Sequence, residues 1–250
     1  MHFSTDGEFP AMRAPLIALL LGASLLAPAQ AAAPMGASAG HIDGTAATRT
    51  NDHWSGYSAH SGDYTTVSAS WTEPNVDCRT GGEVVFWVGL DGDGNDNVEQ
   101  TGTHVLCRNG KAIHTGWWET YPCYNIIDYN HTVQPGDKIS STVTDNGNGT
   151  YSLYLRDATQ GWTEQPNKRA CSGAGDVSAE VITETPIYSN GPSPLANFGT
   201  VTYTNVSING RPVSNAGPQA INMARHGRNI DTTSAISGGT QFSNTWLATN

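Results

Sequence analysis

The chain has 250 residues, 37% of them hydrophobic and only 14% charged, with 28 glycines. That length holds one large all-β domain or two small ones, and one is the expectation for a β-rich chain. Asp and Glu outnumber Lys and Arg by 22 to 12, giving a net charge of −10. This speaks against a nucleic-acid partner, because phosphate neutralisation needs clustered cations. With every carboxylate protonated, Lys, Arg and His together would carry at most about 20 positive charges, a self-repulsion compatible with work in acid.

Arg13, the apolar run from Leu16 to Leu26 and the motif Ala29-Gln30-Ala31 describe a secretory signal peptide cut after Ala31, with Met12 as an alternative initiator. The run is too short to span a bilayer and no later stretch is long enough, so a secreted chain without a membrane partner is expected. Residues 32–51, rich in Ala, Gly, Ser and Thr, read as a leader or short propeptide, and one domain is expected over residues 52–250. Cys78, Cys107, Cys123 and Cys171 all lie in the exported part, which suggests two disulfides. Three connectivities are open; Cys78–Cys107 with Cys123–Cys171 is the expected one.

In Tyr64–Thr72, Val67, Ala69 and Trp71 alternate with Thr66, Ser68, Ser70 and Thr72, as in a half-buried strand. Glu83–Leu90 is nearly all apolar and reads as a central strand. Val98–Leu106 alternates again, placing Val98, Gln100, Gly102 and His104 on one face. Lys138–Val143 and Tyr151–Leu155 form a hairpin pattern around Asp145-Asn-Gly-Asn-Gly149. Asp176–Glu184 sets Val177, Ala179, Val181 and Thr183 against Ser178, Glu180, Ile182 and Glu184. Thr200–Ile208 changes phase midway, which predicts a bulge. No convincing amphipathic helix is present, so the expected class is an all-β sandwich or barrel.

Several chemical signals fall away on context. Gly36-Ala-Ser-Ala-Gly40 has the letters of a nucleophile elbow but lies in the leader, with no strand before it or helix after it. The eight histidines show no zinc-protease spacing. Asp91-Gly-Asp-Gly-Asn-Asp96 departs from a calcium loop at its sixth and twelfth positions, so no metal is expected. Gln100 and Glu180 remain, each on a strand with small or apolar neighbours, together with the aromatic and acidic segment Trp117-Trp-Glu-Thr-Tyr-Pro122. Spacing alone does not pair the glutamine with the glutamate.

Read together, four blocks resemble the glutamic peptidases, the eqolisin family of acid endopeptidases. They are Trp54-Ser-Gly-Tyr57 with Val67-Ser-Ala-Ser-Trp-Thr-Glu-Pro74; Trp87-Val-Gly-Leu-Asp-Gly92 with Gln100-Thr-Gly102; Trp118-Glu-Thr-Tyr-Pro122; and Ser178-Ala-Glu180 with Glu184 and Phe198-Gly-Thr-Val-Thr202. The resemblance spans about residues 53–208. It implies a lectin-like (concanavalin A-like) β-sandwich of two antiparallel sheets. Catalysis would fall to Gln100 and Glu180, and substrate binding to Trp87, Asp91, Trp118, Glu119 and Tyr121. It implies a secreted monomer acting on polypeptides without a cofactor. The chain departs from the family in carrying Val181 after the glutamate and no cysteine in the turn between Asp91 and Gln100.

The chemistry such a dyad performs follows from acid conditions. A carboxylate is about the only side chain that remains a base there, since His would be protonated. The oxyanion then needs a donor that does not titrate; a Gln amide serves, and one such donor contributes roughly 3–4 kcal/mol. The competing reading is a carbohydrate-binding sandwich with Trp117, Trp118 and Tyr121 as a stacking platform. A glycosidase using Glu180 and Glu184 is disfavoured, because four residues of strand separate them by roughly 13 Å.

Overall fold

A computed structural model describes residues 48–60 and 62–250. The expected signal peptide, residues 32–47 of the leader and the Gly36–Gly40 motif lie outside the described residues. In chain order the strands are β1 (Arg49–Asn51), β2 (Trp54–His60), β3 (Thr66–Thr72), β4 (Glu83–Leu90), β5 (Val98–Arg108), β6 (Lys111–Tyr121), β7 (Tyr124–Asp128), β8 (Lys138–Asp145) and β9 (Thr150–Asp157). There follow β10 (Trp162–Glu164), β11 (Asn167–Arg169), β12 (Ser178–Glu184), β13 (Ile187–Tyr188), β14 (Gly191–Pro192), β15 (Thr200–Ile208), β16 (Arg211–Pro212), β17 (Gln219–Arg225), β18 (Arg228–Thr233) and β19 (Phe242–Trp246). The helical residues described are two short 3-10 turns, Cys78–Thr80 and Val213–Ala216.

Two layers result. The first runs β1–β17–β2–β12–β4–β5–β6–β7, and β18 and β19 carry it from β17 round to β15. The second runs β16–β15–β3–β8–β9, with β10 and β11 on β9. All named ladders are antiparallel except the short pair β1–β17. β13 and β14 form a separate two-stranded sheet.

The apolar run of β4 is buried on both faces, as a central strand requires. Val84, Phe86, Val88 and Leu90 face the inter-sheet core with Val67, Ala69 and Trp71 of β3 and Val143, Leu153 and Leu155 of the β8–β9 hairpin. Val85 and Trp87 face outward into a second cluster with Trp54, Val98, Trp117, Ile182 and Ile221. The phase change in β15 is a bulge between Thr204 and Ser207, where Asn205 takes a φ of 53°. The bulge turns Val201, Tyr203, Val206 and Ile208 all inward. The disulfides are Cys78–Cys107 and Cys123–Cys171, as expected.

Two boundaries differ from the sequence reading. Arg49–Asn51, assigned to the leader, forms β1 on the edge of β17. Strand β12 begins at Ser178 rather than Asp176, because the Val177 N–H donates to the Asp91 carboxylate instead of to a neighbouring strand. Val177 is left 40% exposed.

The inner face carries carboxyl groups with few partners. Glu99 pairs with Leu90 and Thr120, is fully buried, and neither carboxyl oxygen has a hydrogen-bond partner. Burial, reinforced by Asp91, Asp176 and Asp145, pushes it up to about 9. Burial likewise pushes Asp231 up to about 7. A carboxyl whose folded-state pKa is raised stabilises the fold fully below its unfolded value, and that stability is lost as pH climbs towards the folded value. The melting temperature is therefore expected to fall steadily between about pH 4 and pH 9, and Glu99→Gln to flatten much of that decline. Calorimetric melts of both proteins across the range check it; parallel declines would contradict the assignment.

Candidate active site

The registers of six strands align one row of residues across the outer face of the first sheet. From β17 to β6 it reads Gln219, Ser58, Glu180, Gly89, Gln100, Glu119. Directly paired residues share a face, so Glu180 and Gln100 point the same way from strands on either side of β4. Two strand spacings put their Cα atoms roughly 9–10 Å apart. Gly89 lies between them and contributes no side chain, so no side chain of β4 separates the two within that row. The Trp87 indole lies against the same spot: a Cβ on residue 89 would come within 2.8 Å of Trp87 Cζ3.

The next row forms an apolar floor of Ile221, Gly56, Ile182, Trp87, Gly102 and Trp117. Gly102 is required there, because any Cβ would stand 1.9 Å from the Phe86 carbonyl oxygen. Trp54 meets Trp87 edge-on, with ring centroids 5.1 Å apart. The Trp87 indole N–H donates to Glu184 Oε2 at 2.8 Å, which fixes the ring beside Gly89.

The Glu180 carboxyl is fully buried. Its Oε1 accepts from Ser58 Oγ at 3.2 Å, and its Oε2 has no partner. Burial pushes its pKa well above the usual carboxylate range; the Ser178 and Ser58 hydroxyls and Arg49 oppose that, while Asp91 adds to it. Gln100 donates from Nε2 to Glu119 Oε2 at 2.6 Å. Burial and the nearby Glu184 push Glu119 up to about 8, so in acid it carries a proton. Gln100 Oε1 and Glu119 Oε1 are both without partners. A protonated carboxyl carries both a donor and an acceptor, the complement of a primary amide.

Of the other expected binding residues, Trp87 is in the floor, and Glu119 and half-buried Tyr121 share the face of Gln100. Asp91 is not in the row. Its buried carboxylate accepts the backbone N–H groups of Gly175 and Val177, each at 2.8 Å, and so ties the β4–β5 turn to the start of β12. Trp118 is on the opposite face of β6, within the inter-sheet core, with the Lys168 ammonium 4.5 Å from its ring centroid. Strand alternation separates it from Glu119. The same alternation dismantles the stacking platform, since Trp117 and Trp118 are buried on opposite faces of β6.

Ser58 and His60 were not singled out from the sequence, and Gly89 and Asp93 appear there only inside longer motifs; together with Arg49 they stand in or beside the row. Asp91 and Asp93 are committed to backbone amides and to Arg49, and Asn95 Oδ1 to the Gly92 N–H. Among the described residues no cluster of three or more His, Cys, Asp or Glu is placed to hold a metal.

Comparison with known proteins supplies the frame for this geometry. The model of the peptidase A4 family matches residues 52–246. Aspergillopepsin-2 of Aspergillus niger is 28% identical over 192 residues, covering 66% of each chain. Scytalidopepsin B of Scytalidium lignicola is 27% identical over 166 residues, covering 62% of this chain and 63% of its own. The chain thus spans just under two thirds of the length of these relatives. The crystal structure of scytalido-glutamic peptidase with a transition state analog inhibitor superposes with a TM-score of 0.68 at 26% identity, covering 79% of this chain and 99% of the other. Aspergilloglutamic peptidase from Aspergillus niger gives 0.58 at 26% identity, covering 66% and 99%. With the family match running over most of its length, the chain belongs to the peptidase A4 family, the glutamic peptidases or eqolisins.

Proposed function

We propose that the chain is a secreted acid endopeptidase, exported through its signal peptide, that hydrolyses polypeptides at the Glu180–Gly89–Gln100 row. The observation that carries the reading is the alignment of a carboxylate and a non-titrating amide on either side of a side-chain-free position. Relatives solved with transition-state analogues, named as glutamic peptidases, support it.

Water stands over Gly89, between Glu180 Oε2 and the scissile carbonyl. Glu180 takes a proton from the water as its oxygen bonds to the carbonyl carbon. The C=O electron pair moves to oxygen, and the Gln100 N–H donates to the oxyanion. Glu180 then returns the proton to the amide nitrogen, the C–N bond breaks, and an acid and an amine leave. Glu119 holds the amide plane throughout, and the apolar floor limits bulk water.

Initial rates on denatured haemoglobin across about pH 2 to 7 test the assignment. Gln100→Ala is expected to lower kcat about 10²–10³-fold, and Glu180→Gln at least as much, with unchanged circular dichroism. Full activity in either variant would refute the dyad. Gly89→Ala places a methyl group against Trp87 and in the path of the water. It is expected to lower kcat about tenfold or more while KM changes little, since the loss concerns geometry in the transition state.

A further inference from the structure

The proposed mechanism requires Glu180 to be ionised in acid, while complete burial opposes its charge. A hydrogen-bonded chain leads away from that carboxyl. Glu180 Oε1 accepts from Ser58 Oγ, which lies 3.2 Å from His60 Nε2. The same nitrogen lies 2.9 Å from Asp93 Oδ2, which also takes the Arg49 guanidinium. The Asp93 backbone N–H donates to Ser178 Oγ at 3.2 Å, and Ser178 pairs with His60 across β12 and β2. The cluster therefore occupies the row beside the Glu180 row, on the same face.

Arg49 reaches this position from β1, at the edge of β17, and pairs with a residue in the turn beyond β4. Its side chain is only 7% exposed, so its charge is not spread into solvent. It lies upstream of the family-matched segment, residues 52–246. A buried guanidinium needs a structural reason, since burial, opposed by the Glu180 charge, lowers its pKa to about 10. The Ser58–His60–Asp93 trio is not a serine-protease relay. Both contacts of the imidazole use Nε2, and Ser58 is fully buried.

We propose that Arg49 is a positioning residue of the active site: through Asp93, His60 and Ser58 it holds the Glu180 carboxylate charged and oriented. The inference rests on Glu180 being the base of the reading above. The charged and titratable groups around Glu180 are Arg49 from β1, His60 from β2, Tyr64 from the loop after β2, and Asp91 and Asp93 from the β4–β5 turn. Asp91 disfavours the carboxylate and Asp93 neutralises part of Arg49. Arg49 and, when protonated, His60 are the cations on that side.

The test compares wild-type enzyme with Arg49→Met, Arg49→Lys and Ser58→Ala. Intact mass confirms that each retains residue 49, and kcat and kcat/KM are followed on a quenched fluorescent peptide over about pH 2 to 7. Loss of a cation beside a buried carboxylate is expected to move the acid limb of the Arg49→Met profile upward by roughly one pH unit. Below that limb its kcat/KM falls about tenfold, with KM nearly constant. Arg49→Lys is expected to restore most of the profile, and Ser58→Ala to lower kcat without the full shift. An unmoved limb in Arg49→Met at an unchanged melting temperature would overturn the proposal. So would an Arg49→Met enzyme faster than wild type, which would make the arginine a block, or a fully active mature enzyme that begins after residue 49. Failure of the dyad reading registers separately, as wild type inactive throughout acid or Glu180→Gln remaining active; either result overturns this proposal too.

Discussion

The antiparallel registers of β12 on β4 and of β4 on β5 govern everything at the site. Glu180 and Gln100 are 80 residues apart in the chain, and only the pairing of each with Gly89 brings them level. Because side chains alternate with period two, a slip of one residue in either ladder would turn one of them into the inter-sheet core. The apolar residues of β4 prevent that slip. Val84, Phe86, Val88 and Leu90 are needed inside, and Val85 and Trp87 complete the outer cluster, so both faces specify the same register. The indole of Trp87, fixed by Glu184, then shapes the space above Gly89.

Much of this was legible in the sequence where a pattern repeats locally. The alternation in Thr66–Thr72, the apolar run Glu83–Leu90, the Asn-Gly hairpin and the phase change in Thr200–Ile208 all appear as read, because each reports burial of its own strand. Very short strands such as β10, β13 and β16 left no mark, since two or three residues show no period. The row through Gly89 was equally hidden, because register is a relation between distant strands. Trp118 is different: its place beside Glu119 in the sequence puts it on the other face of a strand, and alternation applied to Trp117–Tyr121 separates the two. Arg49 reads as part of the leader, because the composition around it resembles a linker and its partner lies 44 residues away.

The site and the inner face handle carboxyl groups in contrasting ways. Glu99 has no partners and is held neutral, whereas Glu180 is met by a hydroxyl and a nearby guanidinium. Glu119 stands between them, more useful with its proton than without, because the neutral acid matches the two sides of an amide. The same physical penalty, removal from water, raises the pKa of all three carboxyls, and the neighbours supplied by adjacent strands oppose or reinforce it.

Strand β15 is hydrogen-bonded through Thr200–Tyr203 to β19 in the first layer and through Thr204–Ile208 to β3 in the second. The bulge at Asn205 lets one strand serve both sheets. A sandwich stitched in this way cannot part its layers like the covers of a book, because opening the seam breaks ladders in both at once. Partial opening is thereby linked to loss of the whole fold, and few extended segments are exposed by small fluctuations. For the endopeptidase proposed above that linkage has a use, since what does not open locally is not presented for cleavage.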